Sequence, residues 1–125
     1  MKKADSKSFE ISFYEGIVKE KPDYLSALVA LAEAYTAQGC YKEGLQIDER
    51  LVRLCPKDPI VRYNLACSYA LTEQREKAVE TLILAVKLGY NDFNYLRKDP
   101  DLKSLHQDPK FDALLEKAKK PRMTK

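Results

Sequence analysis

Leu28-Val29-Ala30-Leu31-Ala32-Glu33-Ala34-Tyr35 is followed 34 residues later by Arg62-Tyr63-Asn64-Leu65-Ala66-Cys67-Ser68-Tyr69. Leu31, Ala32 and Tyr35 meet Leu65, Ala66 and Tyr69 in the comparison, and the residues between them differ. A shared period of this length is the mark of a structural repeat. Positions where two elements touch keep their size, while solvated positions drift. Outward from this stretch, Val52 and Leu54 map onto Val86 and Leu88, Gly44 onto Ala78, Leu45 onto Val79, and Pro22 onto Pro56.

Each unit reads as a pair of amphipathic helices. Leu28, Leu31, Ala32 and Tyr35 stand at i, i+3, i+4 and i+7, and Leu45, Leu51, Val52 and Leu54 give the second helix its apolar stripe. Gln38-Gly39-Cys40 is the break, with Gly39 suited to the left-handed conformation that ends a helix. Asp58-Pro59 opens the next unit as an N-cap followed by a first-turn proline. Its helices carry Leu65, Ala66, Tyr69, then Ala78, Val79, Leu82, Ala85 and Val86. Small residues at Ala32, Gly44, Ala66 and Ala78 let paired helices approach closely. The expected fold class is all-α.

On these residues the chain resembles the tetratricopeptide repeat (TPR) family, whose helix pairs stack into an α-α superhelix. Residues 25–58 supply Leu28, Leu31, Ala32, Tyr35, Gly39, Gly44 and Pro56, but put Asp48 and Leu51 where the pattern has a large or aromatic residue and an alanine. Residues 59–92 supply Leu65, Ala66, Tyr69, Ala78, Leu82 and Ala85, with Arg62, Glu73 and Tyr90 departing from it. Tyr14, Ile17 and Pro22 make residues 8–24 resemble the second helix of a repeat, a half-repeat after a flexible end at 1–7. Residues 93–119 read as capping helices. Asp99-Pro100 and Asp108-Pro109 each look like a cap plus first-turn proline, so three short helices are expected, carrying Phe93 and Leu96, then Leu102 and Leu105, then Phe111, Leu114, Leu115 and Ala118. The stretch from Asp99-Pro100-Asp101-Leu102 through Asp108-Pro109-Lys110-Phe111 resembles the tails that follow TPRs in many bacterial proteins. Residues 120–125 are expected to be a basic flexible end.

Composition bounds the chemistry. The 125 residues are enough for one domain with a modest core. No membrane-length apolar run and no secretory leader are legible, so a cytoplasmic protein is expected. The net charge of +3 is misleading. Five of the 22 basic residues, Lys117, Lys119, Lys120, Arg122 and Lys125, sit in 117–125 with no acid, so residues 1–116 hold two more acids than bases. That concentrates any nucleic-acid or anionic-membrane reading in a short solvated tail and weighs against it for the body. Cys40, Cys55 and Cys67 contain no CxxC pair, and with the single histidine His106 they form no recognisable zinc site. A helix between Cys40 and Cys55 would hold them about 20 Å apart, beyond disulfide reach, so reduced thiols are expected. No nucleophile, base and orienting group come together at helical spacing, and no Gly-rich phosphate loop is present. Asp99, Asp101 and Asp108 read as helix caps. Neither catalysis, a metal nor a cofactor is expected.

What remains is surface. In the resemblance, first helices line a concave groove, and its ligand-facing positions fall on Ser26, Val29, Ala30, Glu33, Thr36 and Ala37, then Ile60, Tyr63, Asn64, Cys67, Ala70 and Leu71. This groove reads as mostly apolar with few charges. Only Asn64 matches the Lys/Arg/Asn clamp with which chaperone-binding TPRs hold a carboxylate. A protein or peptide segment held by Val29, Tyr63, Asn64 and Leu71, with Arg97 and Lys98 at the groove's end, is the expectation. Two others compete: self-association through the half-repeat's Phe9, Phe13 and Tyr14, and anionic-polymer binding through the basic end. Asp48, at a packing position, either pairs with Arg62 or a tyrosine hydroxyl of Tyr35 or Tyr69, or is wet on a rotated helix.

Overall fold

The computed structural model describes residues 8–119, and their regular structure is entirely helical. The predicted ends at 1–7 and 120–125 lie outside the described residues. Helix α1 spans Phe9–Glu20, α2 Leu25–Ala37, α3 Tyr41–Leu54, α4 Pro59–Leu71, α5 Arg75–Lys87, α6 Phe93–Lys98 and α7 Pro109–Lys119, with a 3-10 helix at Pro100–Leu105 between the last two. From α1 to α5 each helix packs on the next in sequence, and the closing helices pack back on α4 and α5.

Local chemistry accounts for the boundaries. Ser8 starts α1 by accepting from the Ile11 N–H, and Asp58 starts α4 by accepting from Ile60 and Val61, with Pro59 in the first turn. Asp108 accepts from Lys110 and Phe111 at the head of α7. These carboxylates and hydroxyls satisfy N–H groups that have no partner inside a helix. At the end of α2, Gly39 takes φ +81° and the Cys40 N–H returns to the Tyr35 carbonyl at 2.8 Å. The end of α4 repeats this 34 residues on: Glu73 takes φ +65° and the Gln74 N–H returns to the Tyr69 carbonyl, also at 2.8 Å. The second turn forces a glutamate into a region that favours glycine.

Packing divides into two clusters that meet at α4. Ile11, Leu28, Leu31, Tyr35, Ile47 and Leu51 form one with Val61, while Tyr63, Ala66, Cys67 and Ala70 of the same helix join Val79, Leu82, Leu96, Leu102, Leu105 and Phe111 in the other. Of the predicted stripe on α3, Leu51 is buried, Leu45 and Val52 are half-buried and Leu54 is exposed. Gly44 sits where an added Cβ would meet the Thr36 hydroxyl at 3.2 Å, so α2 and α3 touch almost backbone to side-chain base. The closing segment is deeply packed. Leu96, Leu102, Leu105 and Phe111 expose nothing, and His106 is exposed with its ring stacked on Phe111 at 5.5 Å. Among the described residues no helix is long and apolar enough to cross a membrane.

Candidate functional site

Helices α2, α3 and α4 and the Asp99 corner enclose an open cavity of about 280 Å³. Its lining brings together Val29, Glu33 and Thr36 from α2 with Tyr63, Asn64, Cys67 and Leu71 from α4, residues that the repeat pattern assigns to a groove. Ala37 lines it too. Ser26 and Ile60, both exposed in the first turns of α2 and α4, do not. Arg97 and Lys98 also lie outside the lining. They end α6, where Arg97 reaches the Asn94 side chain at 3.4 Å.

The cavity floor is polar where the sequence suggests an apolar surface. Asp48, Asp99 and Asp101 line it beside Glu33. Asp48 is 4% exposed and accepts from the Ser68 hydroxyl at 2.5 Å. It is therefore buried, and none of the partners expected for it is used. Tyr35 donates its hydroxyl to Glu15, and Tyr69 lies 3.5 Å from Glu49. Arg62 donates instead to the Pro56 carbonyl at 2.7 Å. The two tyrosine–glutamate pairs are the same contact displaced by 34 residues. Burial pushes Asp48 up to about 6, against the Ser68 hydrogen bond and with a smaller push from the Glu33 charge.

Asp99, also on the lining, is 3% exposed. One oxygen accepts from the Asp101 N–H at 2.9 Å, capping the 3-10 helix, and the other accepts from the Tyr63 hydroxyl at 2.6 Å and the Cys67 thiol at 3.6 Å. Tyr63 is itself clamped. Its ring lies 4.2 Å from that of Tyr90, nearly parallel, and 6.5 Å from Tyr95. Read from sequence as a ligand-facing side chain, it is only 4% exposed and acts first as a strut between α4 and the closing segment. Burial pushes the pKa of Tyr63 and of Cys67 far above their ordinary ranges, so both keep their protons, and pushes Tyr90 up to about 12.

Cys67, Asp99 and Asp101 bring three donor atoms within 4.8 Å of one another. Their chemistry fits a metal poorly. A thiolate ligand requires loss of the Cys67 proton, which burial and the neighbouring carboxylates oppose. Both oxygens of Asp99 already accept hydrogen bonds. Thr36 likewise spends its hydroxyl on the Ala32 carbonyl at 3.0 Å, whereas the half-buried Asn64 amide has no side-chain partner among the described residues.

Sequence reasoning missed Asp48 as a lining residue, together with Ser68, Tyr95, Asp99 and Asp101. A signal existed for Asp48, an acid where the repeat pattern has a packing residue. None existed for Asp99, because its tie to Tyr63 spans 36 residues and leaves the repeat period.

No family model matches the chain, and no solved structure does. Over 84 residues, 65% of its length, the chain is 34% identical to a protein of Arabidopsis thaliana that is described as chloroplastic. The chain spans 25% of that relative's length.

Proposed function

We propose that the chain is a TPR-type helical module, two repeats and a half closed by capping helices, that works as a non-enzymatic scaffold by holding a segment of another protein in the groove between α2 and α4. The observation that carries this reading is the cavity itself. It is concave, has apolar walls in Val29, Leu51 and Leu71, and offers the Asn64 amide beside them. At about 280 Å³ it lies at the lower edge of the ~300–1,000 Å³ usual for small-molecule sites, and suits one or two side chains of a peptide better than a whole metabolite. The repeat assignment is supported by equivalent turns at Gly39 and Glu73 and by the displaced Tyr35–Glu15 and Tyr69–Glu49 pairs. Its test is peptide capture with Leu71→Asn, which strips an apolar side chain from the groove wall without adding charge: weakened capture is expected, and unchanged capture would rule the groove out.

One observation favours a second reading, self-association through α1. Phe9 is 84% and Phe13 50% exposed, and their rings stack at 6.0 Å on the outer face of the half-repeat. Sedimentation across concentration tests it, with a monomer at high concentration counting against it. The three unpaired thiols support a reducing compartment, and we propose the cytoplasm.

A further inference from the structure

The groove's charge is lopsided. Four carboxylates, Glu33, Asp48, Asp99 and Asp101, stand on its lining, and no lysine, arginine or histidine does. Three of them have their charge partly met. Glu33 is exposed to water, Asp99 accepts on both oxygens, and Asp101 is half-exposed. Asp48 differs. It is all but enclosed, its Oδ2 takes the Ser68 hydroxyl, and its Oδ1 has no donor among the described residues although it is open to the cavity. A carboxylate oxygen that is open to a cavity on an otherwise enclosed side chain, and has no donor, is a place for one.

We propose that the groove takes a partner peptide through a lysine or arginine side chain, whose charged head enters between Asp48 and Asp101. This deepens the peptide-groove reading and rests on it. The walls suit such a side chain. Val29 and Leu71 can cover the aliphatic stem, and Tyr95, half exposed on the lining, brings an aromatic ring to the site of the cation. The arrangement opposes an acidic or C-terminal carboxylate ligand, since like charges facing each other across a partly desolvated cleft repel.

The test is a random decapeptide display library panned against the full chain, followed by anisotropy with synthetic copies of the enriched peptides. Enriched peptides are expected to carry a lysine or arginine flanked by apolar residues. Its replacement by norleucine should weaken binding about ten-fold, and the double variant Asp48→Asn, Asp101→Asn should bind lysine and norleucine peptides within about two-fold of each other. Enriched peptides without a basic residue, or a lysine peptide bound no better than its norleucine copy, would overturn the proposal while leaving the groove intact, provided Leu71→Asn still weakens binding. If no enriched peptide responds to Leu71→Asn, the groove reading itself fails and this inference with it. A third arm uses the chain with Lys119, Lys120, Arg122 and Lys125 changed to glutamine. A gain of about ten-fold in peptide affinity there would make the chain's own basic end the occupant and overturn the assignment to a partner.

Discussion

The hydroxyl of Tyr63 on α4 donates to Oδ2 of Asp99, 36 residues away, at 2.6 Å, and both side chains are almost wholly buried. This bond joins the repeat body to its closing segment. Tyr63→Phe keeps the ring and its stack on Tyr90 but leaves the carboxylate oxygen with only the weak Cys67 thiol. Loss of a hydrogen bond to a charged buried group costs about 1.5–3 kcal/mol. Urea unfolding of Tyr63→Phe should show that loss with an unchanged m-value. Asp99→Ala should lose more, because the cap on Asp101 goes too.

Asp48 predicts an inverted acid response. Its folded-state value is raised from 3.8 to about 6, so between those pH values the folded chain binds more protons than the unfolded one. Stability contributed at this site is therefore greatest below about pH 4 and falls as pH rises through about 6. At about 1.4 kcal/mol per unit, Asp48→Asn, whose amide oxygen can still accept from Ser68, should gain up to roughly 3 kcal/mol at about pH 7.5 and little at about pH 4. Unfolding free energies of both proteins at the two pH values check it, and equal gains at both would contradict it.

Glu73 holds φ +65° where the equivalent turn uses Gly39. A non-glycine residue in this region is held there at a cost of about 1 kcal/mol or more. Glu73→Gly should therefore raise the melting temperature, whereas Gly39→Glu should lower it. The turn-closing bond from the Gln74 N–H to the Tyr69 carbonyl is what imposes the conformation.

Cysteine labelling should separate the three thiols. Cys40 and Cys55 are half-buried at the two ends of α3, and Cys67 is buried with its thiol directed at Asp99 and its ionisation strongly suppressed. A disulfide reagent at about pH 8 should titrate two thiols promptly and the third only on unfolding. Prompt reaction of all three would contradict the packing around Cys67.

The pattern of residues makes some of this legible and hides the rest for physical reasons. Repeated contacts are short in sequence and keep their spacing, so Leu31, Tyr35, Leu65 and Tyr69 disclose the helix pairs and their core-facing side. Depth is another matter. Tyr63 occupies a groove-facing position but is drawn inward by Tyr90 and Asp99, which belong to the divergent closing region. Asp48 is equally compatible with a wet helix face on sequence grounds because the preceding unit has Tyr14 and Ala34 where this one has Asp48 and Ser68, so no repeated polar pair announces the contact. Arg97 and Lys98 give a basic end to the groove by order along the chain alone. The fold turns them off the lining and sets Asp99 and Asp101 on it. The sign of the groove's charge is thereby reversed.

The claim on which the account turns is that a partner segment lies between α2 and α4. Amide chemical-shift mapping on titration with an enriched lysine peptide tests it most directly. Occupation of the groove should concentrate the shifts at Val29, Asn64, Leu71, Tyr95 and Asp101, with α1 unmoved. Shifts concentrated at Phe9 and Phe13 with the groove residues unmoved would contradict it.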